Sequence, residues 1–199
     1  MKNGLTVILA NGDFPRKGGR ARALLETATR VVCCDGAADT YRRIFGREPT
    51  AVVGDLDSCR GTFRNAIRIA EQETNDLDKA IRYCRSNGWR KPVLVGVTGK
   101  REDHTLGNVF RALARGLEIV TDRGRFVPFF GRGSFTVGRG SSVSVFAPEK
   151  GTRMTSKGLE WPLDGIRFVN LYCATLNRAS ADRISLTSTH PVYLYLAYR

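Results

Sequence analysis

Five short apolar runs punctuate roughly the first 120 residues: Leu5–Ala10 (LTVILA), Val31–Cys34 (VVCC), Ala51–Val53 (AVV), Val93–Val97 (VLVGV) and Leu117–Val120 (LEIV). They are rich in β-branched residues and do not alternate with polar ones, which is how strands buried on both faces of a parallel sheet read. Amphipathic stretches separate them. In HTLGNVFRALARG, the residues Leu106, Val109, Phe110 and Leu113 fall on one helical face, with Gly116 as a stop. In TNDLDKAIRYCRSNG, Leu77, Ile81 and Cys84 keep the helical period, Thr74 or Asn75 can cap the start, and Gly88 ends it. Ala37–Phe45 and Gly61–Ala70 are further helical candidates. Strand–helix alternation implies an α/β domain with an open, mainly parallel sheet.

Beyond Arg123 the texture changes. GRGSFTVGRGSSVSVFAPEKG and the stretch from Ile166 to Arg199 are short alternating runs divided by Gly, Ser, Asn and Pro. This predicts an all-β C-terminal sandwich domain. The expected boundaries are 1–123 for the α/β domain and 124–199 for the sandwich.

Composition narrows the function classes. The net charge of +13 suggests a polyanionic partner, yet residues 35–78 hold nine acidic side chains against six basic ones. An acidic island in a basic chain fits a cation bound with a phosphorylated ligand better than a nucleic-acid groove, and no basic run interleaves with aromatics as a stacking platform would. No run is long enough to cross a bilayer, and the N-terminal stretch lacks the pattern of a signal peptide. Five cysteines without CxxC spacing indicate neither a disulfide framework nor a zinc site, and a reducing cytoplasm is expected.

Each of the first four strands runs directly into a polar, glycine-containing segment: Asn11–Asp13, Asp35–Asp39, Gly54–Ser58 and Thr98–His104. In an open parallel sheet these lie at the carboxyl ends of the strands, where ligands bind. Asp55 and Asp57 stand one residue apart in GDLDS; an extended backbone projects both to one side, with Leu56 turned inward. Two such carboxylates can share magnesium, a hard ion that takes a few carboxylates, waters and phosphate oxygens. Capping of a following helix by Asp57 and Ser58 is the competing explanation, and the arrival of Asp35, Asp76 and Asp103 from three other segments weighs against it. Thr74–Asp76 opens a helix, so capping competes there too, although that opening also offers backbone N–H groups to phosphate. Thr98, Gly99, Lys100 and Arg101 suit an anion without forming a P-loop. His104 is equally placed for a structural or a catalytic part, and Trp161 for a core or interface one.

Together, LANGDFP, CDGAAD, VVGDLDS with QETNDLDKAI, and GVTGKREDHTLGN resemble the bacterial form of thiamine pyrophosphokinase (thiamine diphosphokinase), and the likeness continues in GLEWPL and ATLNRA. The resemblance implies transfer of the pyrophosphoryl group of ATP to the hydroxyl of thiamine, giving AMP and thiamine diphosphate, by a homodimer with active sites at the subunit interface. It implies Asp35, Asp55, Asp57 and Asp76 around magnesium, with Asp55, Asp57, Asp76 and Lys79 carrying the catalysis. It implies Asn11, Ser58, Thr74, Lys79, Thr98, Gly99, Lys100, Arg101, Asp103 and His104 along the nucleotide and phosphates. Gln72, Trp161 and Asn177 are implied at thiamine, the tryptophan stacking from the partner subunit. Two positions depart from the family pattern: Lys100 stands where a glycine is usual, and Leu176 where a serine is common. A magnesium-dependent phosphohydrolase or nucleotidyl transferase would use the same rim, and thiamine-dependent AMP release separates it from the kinase. A basic nucleic-acid-binding protein would instead show steeply salt-dependent binding.

Overall fold

The computed structural model describes residues 4–199. The chain divides into two compact units, the first ending at Asp122 and the second spanning Arg123–Arg199.

The first unit is a parallel sheet with helical connections. Its strands are β1 (Thr6–Leu9), β2 (Arg30–Cys34), β3 (Ala51–Gly54), β4 (Ala66–Arg68), β5 (Val93–Val95) and β6 (Ile119–Val120). The helices are α1 (Arg20–Thr27), α2 (Ala37–Phe45), α3 (Asp76–Ser86) and α4 (Glu102–Ala114). Strand order within the unit is β6-β5-β1-β2-β3-β4, every pairing parallel. β1, β2 and β3 bury nearly every side chain, as the unbroken apolar runs require. α3 buries Leu77, Ala80, Ile81 and Cys84, and its N-cap is Asn75, whose side chain accepts the Asp78 N–H.

The order has a functional consequence. The chain builds outward from β1 through β2 and β3 to β4, then returns to lay β5 on the other side of β1. The connections leaving β1 and β5 therefore part in opposite directions, and a crevice opens between their carboxyl ends.

Residues 61–70, expected as a helix, instead carry the edge strand β4. The Val52 N–H donates to the Asn65 carbonyl at 3.0 Å and the Ile69 N–H to the Gly54 carbonyl at 2.7 Å. AIRIA alternates with period two, so Ile67 and Ile69 face inward while Ala66 and Arg68 are exposed.

The second unit is all β: β7 (Gly124–Thr136), β8 (Ser142–Phe146), β9 (Met154–Lys157), β10 (Ala174–Arg178) and β11 (Arg183–Ala197). β7 and β11 pair antiparallel along almost their whole length, with a register shift between Ser188 and Val192, where Pro191 interrupts the ladder. On one side of that irregularity β11 also pairs with β9; on the other it pairs with β8, which pairs with β10. Phe129, Val143, Val145, Leu163, Phe168, Ile184, Val192 and Leu194 are among the residues of the unit's core. Among the described residues, no helix is long and apolar enough to cross a membrane.

Candidate active site

A cavity of about 300 Å³ opens at the crevice between β1 and β5. Ala10, Asn11 and Gly12 line it from the end of β1, and Val97, Gly99, Lys100 and Arg101 from beyond β5. Its wall also includes Asp35 after β2, Asn75 and Asp76 at the start of α3, and His104 and Asn108 on α4. The two rims sit so close that Gly12 can carry no side chain: a Cβ there would lie 2.4 Å from the carbonyl oxygens of Gly96 and Thr98.

The carboxylates gather beside this cavity. One oxygen each from Asp35, Asp55 and Asp57 lies within 4.8 Å of the other two. Asp76 completes the cluster across Gly54, where an added Cβ would fall 3.1 Å from the Asp35 Cβ and 3.2 Å from the Asp76 carboxyl. The means differ from an extended i, i+2 pair. Leu56 takes a left-handed conformation (φ 67°), folding the Asp55–Asp57 segment so that the Asp57 N–H donates to Asp55 Oδ1 at 3.3 Å. Asp35 is also left-handed (φ 44°). Non-glycine residues in this region are uncommon and carry a conformational cost; two within one carboxylate group mean the fold holds the cluster at the expense of local relaxation.

Electrostatics separate the four. Burial pushes the Asp35 carboxyl up, partly offset by hydrogen bonding from Cys59 and Ser58. Asp35 Oδ1 is buried without a hydrogen-bond partner among the described residues. Burial likewise raises Asp76; Lys79 draws it back, and the charges of Asp55 and Asp35 add to the rise. Asp55 is held low, chiefly by the Asp57 backbone N–H and also by the Gln72 amide and the Lys79 charge. The Cys59 thiol, half-buried and next to Asp35, is pushed up to about 12, chiefly by burial. A buried, unsatisfied carboxylate oxygen within reach of two more carboxylates is the environment that a hard divalent cation relieves. The donor set therefore fits magnesium.

Other expected residues fall in different places. Lys79 is fully buried, donates to Asp76 Oδ1 at 3.2 Å and does not line the cavity, so its charge acts through the carboxylates of Asp76 and Asp55. Asp103 does not join the carboxylate group: Arg101 grips it with two nitrogens, at 3.1 and 2.6 Å, and the pair is solvent-exposed. Thr74 spends its hydroxyl and its N–H on Glu71. Ser58 donates its N–H to Asp35 and its hydroxyl to Asp57. Thr98 contributes its carbonyl to the Asp13 N–H, and Gln72 donates to Asp55 Oδ2 at 3.4 Å. Lys100 projects from a left-handed backbone (φ 59°), and its ammonium reaches Asn11 Oδ1 at 2.9 Å.

That geometry gives Lys100→Gly two opposed expectations. Removing the side chain relieves roughly 1 kcal/mol of backbone strain, so the melting temperature stays level or rises. The resemblance implies a phosphate contact at this rim, so loss of a charged donor there is expected to lower affinity for ATP by about 10-fold. Calorimetric titration with ATP beside a thermal melt measures both.

In the second unit Trp161 is half exposed rather than a core residue. Asn177, itself buried, holds its backbone at both ends: Asn177 Oδ1 accepts the Trp161 N–H at 3.2 Å, and Nδ2 donates to the Trp161 carbonyl at 2.7 Å. Leu176 takes a left-handed conformation (φ 64°) and is 85% exposed. Sequence reasoning offered Thr74 or Asn75 as the cap, and the fold uses Asn75; it did not single out Cys59 or Asn108, and the period-four spacing of His104 and Asn108 on one helix was the available signal for the last.

Two family models match the chain: "Thiamin pyrophosphokinase, catalytic domain" over residues 21–121, and "Thiamin pyrophosphokinase, substrate-binding domain" over residues 124–195. No curated protein matches. Among solved structures, the fold is similar to thiamine pyrophosphokinase from Bacillus subtilis, with a TM-score of 0.74 and 17% identity over 97% of this chain and 98% of that one. It is similar to thiamin pyrophosphokinase from Candida albicans, with a TM-score of 0.79 and 14% identity over 98% and 90% of the two chains. The enzyme from Geobacillus thermodenitrificans gives a TM-score of 0.74 and 20% identity over 98% and 97%.

Proposed function

The chain belongs to the thiamin pyrophosphokinase family, and from that premise we propose how its residues perform thiamine diphosphokinase chemistry. The thiamine hydroxyl oxygen attacks the β-phosphorus of ATP, the bond from that phosphorus to the bridging α–β oxygen breaks, and AMP leaves with that oxygen. The hydroxyl proton passes to a carboxylate of the aspartate group. The observation that carries the assignment of roles is the division of the cavity: Lys100, Arg101 and His104 on one side, Asp35 and Asp76 on the other, with Asp55 and Asp57 beside them.

Asp35, Asp55 and Asp57, with Asp76 adjoining, hold magnesium, which supplies charge neutralisation on the phosphates when bound. Gln72 orients Asp55 through its amide, and Ser58 orients Asp35 and Asp57. Lys79 fixes Asp76 and lowers the repulsion within the group. Lys100 and Arg101 meet the phosphate oxygens, with Asn11 and the Asp103 carboxylate setting the resting positions of those two cations. Asn11, Thr98 and Gly99 shape the nucleotide wall.

The second unit serves thiamine. Its β7–β11 pair, flanked by β9 on one half and by β8–β10 on the other, supports reading this unit as a small sandwich. Trp161 presents its ring to the cationic ligand, and Asn177 contributes by fixing that loop. The enzyme works as a cytoplasmic homodimer. Incubation of the purified protein with ATP, magnesium and thiamine tests the activity: AMP and thiamine diphosphate appear together in equal amounts, and AMP release without thiamine would contradict it. In Trp161→Leu, loss of about 1–2 kcal/mol of cation–π attraction raises the KM for thiamine several-fold to about 30-fold while the KM for ATP holds; steady-state kinetics in both substrates checks this.

A further inference from the structure

Asn75 and Asn108 both line the cavity, one at the cap of α3 and the other in the second turn of α4. Their amides are joined: Asn75 Nδ2 donates to Asn108 Oδ1 at 2.7 Å. The direction of this bond is fixed from outside the pair. Asn75 Oδ1 accepts the backbone N–H of Asp78 at 3.0 Å, and a backbone N–H can only donate. Asn75 must therefore turn its NH₂ toward Asn108, which must answer with its carbonyl oxygen. The NH₂ of Asn108 is left over, with no protein partner among the described residues, on the wall of the cavity.

We propose that Asn108 is a nucleotide-binding residue, its NH₂ donating to an acceptor atom of the bound nucleotide, with Asn75 and the α3 backbone acting as a relay that sets the polarity of the amide. The inference rests on reading this cavity as the nucleotide site. It adds to the cationic groups at the rim a neutral donor of fixed sense. An amide held this way discriminates between acceptors and donors on the ligand, because the wrong partner leaves a polar group unpaired.

Two substitutions separate binding from structure. Asn108→Asp is nearly isosteric and keeps an oxygen for Asn75 Nδ2, so the relay and the melting temperature survive, but the group facing the ligand changes from donor to acceptor. Asn108→Ala removes both functions. Isothermal titration of the full chain with a non-hydrolysable ATP analogue and magnesium is the measurement. Both variants are expected to lose about 10-fold or more in affinity, and the loss in Asn108→Asp persists at high salt, where simple charge repulsion is screened. A merely structural asparagine would leave Asn108→Asp binding like wild type, and that result overturns the inference, as does a loss that disappears with salt. Absence of binding by the wild-type protein would instead remove the nucleotide reading, and the inference with it.

Discussion

Asp57→Ala is expected to fold as well as the wild type, or slightly better, and to lose about 10³-fold or more in the rate of thiamine diphosphate formation. The two halves of this expectation share one cause. Asp35, Asp55 and Asp57 bring three carboxylate oxygens within 4.8 Å of one another, an arrangement that repels itself without a cation. Burial already raises Asp35 and Asp76, so the metal-free cluster is a point of stored unfavourable energy. Asp57 is exposed, and its side chain accepts the Ser58 hydroxyl at 3.0 Å. Truncating it removes repulsion without opening a hole. Turnover suffers because a cation that neutralises phosphate charge supplies several kcal/mol in the transition state, and every 1.4 kcal/mol is about tenfold in rate. A thermal melt with and without magnesium, set beside AMP production at saturating magnesium, tests both halves. The wild type gains stability from the ion by mass action and the variant loses that gain. Wild-type turnover in Asp57→Ala would remove the aspartate from the metal site.

The sheet was legible because strands buried on both faces must be apolar without interruption, and LTVILA, VVCC and AVV satisfy that whatever surrounds them. α1 was harder to see. Only Ala21 and Leu25 are buried in it, a single i, i+4 pair in a segment rich in arginine. β4 lies in a stretch whose composition suits a helix, although AIRIA carries the alternation of an edge strand. At the site, the residue types and their convergence at the strand ends could be anticipated; the backbone that joins them could not. Left-handed conformations at Asp35, Leu56 and Lys100 arise from tertiary constraint, since nothing local favours a leucine at positive φ. Lys79 and Asp103 show the same limit from the side chains. Both carry charge in the expected segments, but partners drawn close by the fold decide which charges remain for a ligand.

The same limit hid a buried ion-pair group in the first unit. Asp78 on α3 is completely buried and meets Arg111 on α4 and Arg115 at the α4 C-cap, more than thirty residues away, with Arg115 at 2.7 Å. Asn75–Asn108 continues this seam to the cavity, so it sets the spacing of the helices that carry Asp76 and His104. Cutting the seam from its two sides has unequal consequences. Asp78→Ala leaves two guanidiniums that are 44% and 30% exposed and can turn to water, a cost of about 1–2 kcal/mol. Removing both cations in Arg111→Ala/Arg115→Ala leaves a buried carboxylate with no countercharge, which costs about 3–5 kcal/mol. That is a large fraction of the 5–15 kcal/mol that holds a typical domain folded. Urea unfolding followed through Trp89, in a Trp161→Leu background so that the first unit alone reports, measures both. The decisive result is the triple variant Asp78→Ala/Arg111→Ala/Arg115→Ala: without a stranded charge it should be more stable than the double-arginine variant. If it is less stable, desolvation of Asp78 is not what the arginines offset.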